Sequence, residues 1–147
     1  MNLSYISIIS LNIGMSTSLA GLTSLILTHS VDLILLQEVT TSSEQLDSLL
    51  CGLGFQVEVN RDAGSPSSLG TAVAWRENLS IDGVFNIVPC RAQIVKLGSY
   101  AIFNLYAPSG SAKKKERDTF FRRDIFNALC LFPNYSHILA GDFNGIL

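Results

Sequence analysis

Charge is what this chain has least of. Only 15% of its 147 residues are Asp, Glu, Lys or Arg, against about 25% in an ordinary soluble domain. No apolar run approaches the roughly 20 residues of a membrane-crossing helix, although mean hydropathy reaches +0.35. No membrane association is therefore expected. The first residues carry no basic stretch ahead of an apolar core, which argues against a secretory signal. Cysteine is sparse and odd in number: Cys51, Cys90 and Cys130 stand far apart, without a Cys-x-x-Cys pair. That argues against a disulfide framework or a zinc site and fits a reducing, intracellular compartment. All three lie among apolar neighbours and are expected in the core. No repeat, low-complexity tract or interdomain linker interrupts the chain, whose length suits one domain. These absences leave two readings: a soluble protein with an unusually apolar surface, or a piece of a larger one.

Net charge is −2, so nothing pulls the molecule as a whole toward nucleic acid. The distribution says more. Six of the ten Lys and Arg residues fall between Lys113 and Arg123.

Apolar patterning sets out the elements. Tyr5 to Asn12 and Asp32 to Glu38 read as strands covered on both faces. Between them Met15, Leu19, Leu22, Leu25 and Ile26 recur at helical spacing, ending near His29. Thr41 to Cys51 reads as a short helix, with Ser42 or Ser43 as its cap and Gly52 beyond its end. Strands are expected at Phe55–Asn60, Gly70–Arg76, Val84–Val88, Arg91–Leu97 and Tyr100–Tyr106, with a loop from Arg61 to Ser68. A basic amphipathic helix follows the turn-rich Ala107–Ala112, with Phe121, Ile125, Ala128, Leu129 and Phe132 on one face. Pro133 and Asn134 end it before a closing, buried strand, His137 to Asn144. An early β-α-β-α order and a strand-rich middle predict a layered α/β sandwich of mixed sheets flanked by helices.

Four strands finish in polar residues: Asn12; Gln37-Glu38; Asn104-Leu105-Tyr106; and Asp142-Phe143-Asn144. Layered α/β folds bind ligands where strand ends gather side chains from distant sequence. The chemistry on offer is oxygen-rich. Glu38 is a hard ligand suited to Mg²⁺, which takes one or two carboxylates and keeps its waters. Asn12 is placed to orient that carboxylate or a water. Asp142 is the candidate general base, Asn144 its positioning neighbour, and Tyr106 a phenol able to stabilise charge on a phosphoryl oxygen. Apart from His137, expected at the far end of its strand, no Cys or His lies near these ends. That disfavours Cys-His nucleophilic catalysis and zinc chemistry, and favours metal-assisted phosphoester hydrolysis. Gly141 is expected where the backbone comes close to a neighbour or bends sharply.

Plainer readings stand beside these. Asp142 and Asn144 can simply open a turn, and Glu38 can be a strand-end turn residue. Lys113 to Arg117 can be a solvated first helical turn, although cations there oppose the helix macrodipole. His29 reads as a helix C-terminal cap, His137 as structural, and Trp75 and Phe143 as core.

The series LN (Leu11-Asn12), LLQE (Leu35 to Glu38), GTAVAW (Gly70 to Trp75), NLYAPSG (Asn104 to Gly110) and GDFN (Gly141 to Asn144) resembles the exonuclease–endonuclease–phosphatase superfamily. Within it the likeness is to the apurinic/apyrimidinic-endonuclease-like domain of non-LTR retrotransposons. The resemblance implies a DNase I-like fold and a DNA-nicking endonuclease that uses Mg²⁺ or Mn²⁺. It puts Asn12 and Glu38 at the metal site, Tyr106 beside the phosphate, Asp142 at the water and Asn144 next to it. It implies DNA as partner, met by Asn104, Ser109, Lys113, Lys114 and Lys115, and a downstream reverse transcriptase in the parent protein. Nuclear residence would follow. Ser109 departs from the Asn that relatives often carry there. The family also continues past GDFN into further strands and a late Ser-Asp-His motif, whereas this sequence stops at Leu147. Residues 1–147 are therefore expected to be the N-terminal part of a single domain, with open edges, and nearly inactive alone. The alternatives are a superfamily enzyme acting on RNA or on a lipid or inositol phosphate, and a non-catalytic, element-derived remnant that binds DNA weakly.

Overall fold

Leu33 and Leu35 face one way along their strand and Ile34 and Leu36 the other, and all four are sealed from solvent. That double burial generates the layers. The computed structural model describes residues 5–14, 19–40, 43–65 and 68–145. Its elements run β1 (Ile8–Asn12), α1 (Ala20–Thr28), β2 (Leu33–Val39), α2 (Ser43–Gly52), β3 (Phe55–Asn60), β4 (Gly70–Arg76), β5 (Gly83–Val88), β6 (Ala92–Leu97) and β7 (Tyr100–Tyr106). A helical stretch then opens as a 3-10 turn (Ser111–Lys113) and continues as α3 (Lys114–Thr119). It widens to a π-helical turn (Phe120–Ile125), closes as α4 (Phe126–Cys130), and is followed by β8 (Ser136–Asp142).

Two four-stranded mixed sheets form, ordered β1-β2-β4-β3 and β5-β6-β7-β8. The outer pairs β1/β2 and β7/β8 are parallel and the remaining pairs antiparallel. Period-2 alternation sends Leu33, Leu35 and Val73 inward against Val95, Leu97 and Ile102 of the second sheet. The opposite face of the first sheet packs Ile34, Leu36 and Ala74 on Leu22 and Ile26 of α1 and Leu46 and Leu50 of α2. The second sheet's outer face takes Phe120, Ile125 and Ala128. This is a layered α/β sandwich of two mixed sheets flanked by helices, as the patterning predicts.

The boundaries of β3, β4 and β7 agree with the sequence reading. β1 is shorter, and Tyr5 lies outside it, 81% exposed. Met15 and Ser42 lie outside the described residues. His29 does cap α1. Three expectations need correction. The closing strand is not buried: β8 stands at the edge of its sheet with Ser136 to Leu139 exposed, because it has one neighbour instead of two. Phe143 is 39% exposed and stacks on Phe121 with ring centroids 5.8 Å apart, so it is no core residue. Cys51 and Cys130 are exposed, and only Cys90 is buried.

The π turn explains why the last helix was only partly readable. Phe120 and Ile125 are both buried yet five residues apart. A 3.6-residue period puts such positions on different faces, whereas an i→i+5 turn brings them together. The expectation for Gly141 holds. A β-carbon there would collide with the Leu105 backbone, and φ is +132°. Only glycine lets β8 lie so close to β7.

Candidate active site

Parallel strands point the same way, so each outer pair ends at one edge of its sheet. In β1/β2 the register sets Asn12 level with Gln37; in β7/β8 it sets Tyr106 level with Asp142. All four polar strand ends thus gather at one end of the sandwich.

Glu38 gets there through a β-bulge. Leu36 pairs with Ala72 and Val39 with Gly70, leaving one extra residue on β2. Leu36 and Val39 both pack on the helical side, which alternation forbids for positions three apart unless one residue is looped out. Glu38 carries φ +54°, a left-handed conformation that costs a non-glycine residue about 1–2 kcal/mol. Out of the ladder, its Oε1 accepts the Tyr106 hydroxyl at 3.3 Å, across to the other sheet. Bulges that re-aim a side chain recur beside active sites.

Asp142 is fixed from three directions. Its Oδ2 accepts the Asn12 side-chain amide at 2.8 Å, a bond between sheets and 130 positions apart in sequence. Its Oδ1 accepts the Asn144 backbone N–H at 3.0 Å, and its carbonyl accepts the Ala107 N–H at 2.9 Å. Asn144, at φ +46°, donates its own amide to the Ala107 carbonyl at 2.8 Å. The plain turn reading and the site reading coincide here, since the carboxylate that opens the turn is the one held by Asn12. Asn12 consequently orients Asp142, where the sequence reading had it orient Glu38 or a bound water. Its Oδ1 accepts the Gly14 N–H at 2.8 Å.

Tyr106 is 3% exposed. Burial first, and then the adjacent Glu38 carboxylate, push its phenol above the ordinary tyrosine value, while Arg91 pulls the other way. The hydroxyl therefore keeps its proton at neutral pH and acts as a donor. Arg91 is the residue that sequence reasoning missed. Its guanidinium lies 4.5 Å over the Tyr106 ring and donates to the Tyr106 and Ala107 carbonyls at 3.4 Å. An arginine opening a strand carries no sign of a ring fifteen residues later, so no signal in the chain marked it.

Asn104 corrects a second expectation. It is fully buried, donates to the Leu36 and Ala72 carbonyls at 3.1 and 3.0 Å, and accepts from Gln37 at 2.8 Å. A side chain so enclosed meets no DNA. It ties the two sheets together just below Glu38 and Tyr106. Ser109, Lys113, Lys114 and Lys115 are exposed beside the site, on the turn and helix start after β7. Arg117 pins that helix to the turn through the Pro108 and Gly110 carbonyls at 3.0 and 3.3 Å. His137 contacts the Phe132 carbonyl and the Phe103 ring at the far end of β8, a structural role as expected.

The donor set can be tested against a divalent cation. No group of three or more His, Cys, Asp and Glu among the described residues is placed to hold a metal ion as a zinc-type cage would. Glu38 is half-buried, and one of its carboxylate oxygens meets Tyr106. One such carboxylate with amide neighbours fits Mg²⁺ or Mn²⁺ retaining most of its waters.

Three solved structures illustrate the likeness in fold. The Neisseria 3′ phosphatase NExo, bound to a product DNA hairpin, superposes with TM-score 0.79 at 18% identity, over 95% of this chain and 58% of that one. D. rerio TDP2, humanized by 14 mutations, gives TM-score 0.76 at 19% identity over 96% and 63%. The human Nocturnin catalytic domain, with bound sulfate, gives 0.67 at 19% identity over 85% and 55%. The chain thus spans less than two-thirds of the length of each. No curated protein matches it. Residues 9–146 do match a family model, and on that match the chain belongs to the endonuclease/exonuclease/phosphatase family.

Proposed function

We propose that residues 1–147 form the N-terminal part of a divalent-cation-dependent phosphodiesterase that nicks DNA, of the kind that non-LTR retrotransposons carry ahead of a reverse transcriptase and use in the nucleus. One observation carries the reading: the Asn12–Asp142 bond of 2.8 Å joins the two sheets at the same end where Tyr106 meets Glu38. Four polar groups from four strands converge there.

In this reading Asp142, with both oxygens already oriented, takes the proton of the attacking water. Asn12 and Asn144 keep the accepting lone pairs aimed. The protonated Tyr106 hydroxyl, which has one hydrogen to give, turns from Glu38 to a phosphoryl oxygen as negative charge grows there. Glu38 and Asn12 would hold a divalent cation, and Mg²⁺ or Mn²⁺ would suit them. Such a cation would supply positive charge to offset the negative charge developing on the phosphoryl group.

The test is a supercoiled-plasmid nicking assay with Mg²⁺. It is run on residues 1–147 and on the protein extended through the reading frame after Leu147. The extended protein is expected to nick. Asp142→Ala is expected to slow it by about 10²- to 10⁴-fold, the usual worth of a general base, and the 147 residues alone to be comparably slow. Equal nicking by the wild type and Asp142→Ala overturns the assignment. A frame that encodes no reverse transcriptase removes the retrotransposon part. Cleavage of RNA or of a phosphomonoester in preference to plasmid moves the substrate elsewhere in the family.

A further inference from the structure

Between the sheets, Leu35 and Val73 face Val95 and Ile102 in a layer of pure hydrocarbon. One step nearer the site that filling stops. Gln37, Asn104 and Gln93 continue the same inward rows of β2, β7 and β6, and all three are sealed from solvent. Enclosed amides are costly unless their bonds are met, and these meet one another. Gln37 donates to the Asn104 side-chain oxygen at 2.8 Å, and Asn104 donates to the Gln93 side-chain oxygen at 3.4 Å. Gln93 passes the row on to the Glu58 carbonyl and the Asn86 side chain, both at 3.1 Å.

The row meets β2 at its bulge. The Asn104 nitrogen reaches the Leu36 and Ala72 carbonyls at 3.1 and 3.0 Å, and these two residues are the last pair of β2 and β4 before their register slips. Its oxygen takes Gln37, the first of two residues that the slip sets against Thr71 alone. Both ends of one side chain thus grip the bulge from the opposite sheet. Glu38 follows directly, in a left-handed conformation that persists only where its surroundings enforce it.

We propose that Asn104 is a positioning residue for Glu38: with Gln37 it locks the β2 bulge and so fixes where the glutamate carboxylate stands. Asn104 and Tyr106 lie two apart on β7 and face the same way, so Asn104–Gln37 and Tyr106–Glu38 are successive rungs between the same two strands. The inner rung sets the spacing of the outer one. Asn104 meets neither cation nor substrate and acts through Glu38 alone. The inference rests on the reading above for the task of Glu38, whereas the brace stands on its own bonds.

The experiment compares three variants of residues 1–147. Asn104→Ala removes the brace, and Gln37→Met takes away one of its bonds at nearly constant volume. Ile102→Ala, two residues earlier on β7, hollows the same layer without removing any bond to the bulge. Native-state hydrogen exchange reads the Val39 and Ala72 amides at the slip, and water-proton relaxation reads Mn²⁺ binding. Asn104→Ala is expected to speed exchange there about tenfold beyond its effect on β6, as one or two lost hydrogen bonds would. It is expected to weaken Mn²⁺ about tenfold, the low end of what residues orienting a ligand contribute. Gln37→Met is expected to do the same at about threefold, in line with a single lost bond. Ile102→Ala is expected to speed both sheets evenly and to leave Mn²⁺ affinity unchanged. Even acceleration by Asn104→Ala, or an Mn²⁺ loss shared by Ile102→Ala, overturns the positioning role. If Asn104→Ala loses its cooperative melt, Gln37→Met decides on the same two readouts. Wild type that binds no Mn²⁺ overturns the cation reading of Glu38; local exchange then still upholds the brace, and even exchange overturns it.

Discussion

β2 and β8 each bring one carboxylate to the site, and they do it under opposite conditions. β2 has hydrogen-bonded neighbours on both sides and cores on both faces, and Leu33 to Leu36 are entirely enclosed. β8 hangs on β7 alone, with Ile138 and Leu139 38% and 39% exposed. The central strand is held so firmly that it tolerates a strained residue, Glu38, at its tip. The edge strand is held so lightly that its carboxylate needs outside help, from Asn12 on the other sheet and from the turn that follows. In the proposed function, where Glu38 would hold a cation and Asp142 would act as base, a rigid position facing a clamped one keeps the two at a fixed separation.

The sharpest way to break this comparison is to truncate one leucine on each strand. Leu35→Ala empties the interface between the sheets and is expected to cost about 2–5 kcal/mol in urea unfolding. Leu139→Ala on β8 is expected to cost about 0.5 kcal/mol, as solvent already reaches the side chain. Equal losses would mean that β8 is as deeply seated as β2.

A smaller effect sharpens the account of the clamp. Asn12→Ala removes one hydrogen bond to the Asp142 carboxylate, worth about 1 kcal/mol at this half-exposed position. The signature is local. The Ala107 and Asn144 amides, both bonded to Asp142, are expected to exchange faster with solvent, while amides of β2 keep their protection. Uniform acceleration through both sheets would show that Asn12 supports the fold at large and does not act on Asp142.

Much of this was legible from patterning, and the failures share a cause. β3, β4 and β7 could be delimited because turn residues bound each of them. The convergence of Asn12, Glu38, Tyr106 and Asp142 was legible because polar residues at the ends of apolar strands are costly without a task. What escaped depends on neighbours. HILA reads as a buried run, yet nothing in those letters says that the strand has one partner instead of two. Asn104 and Tyr106 lie two apart on one strand and both look like site residues. Only the facing sheet, through β2 and β4, decides that Asn104 becomes a strut and Tyr106 a donor. The bulge at Glu38 shows solely as a register slip against β4, and the stacking of Arg91 on Tyr106 needs the turn before β6 to be placed. Single-strand chemistry was readable; cross-strand geometry was not.

The smallest predicted effect bears on why β2 tolerates strain. Replacing Glu38 by glycine removes a left-handed penalty of about 1–2 kcal/mol and adds about 0.5–1 kcal/mol of backbone entropy, a net gain near 0.5–1 kcal/mol. The bond lost to Tyr106 is long, at 3.3 Å, and offsets little of that gain. Glu38→Gly is therefore expected to raise the urea midpoint slightly without changing the slope of the transition. The same substitution removes the Glu38 carboxylate. Added Mg²⁺ is then expected to stabilise the wild type, as any ligand of the folded state does, and to leave the variant unmoved. A variant less stable than wild type would mean that the bulge is held by the Glu38 side chain. One that is more stable and still responds to Mg²⁺ would place the cation elsewhere. Only stabilisation together with a lost response marks Glu38 as a residue strained for its task.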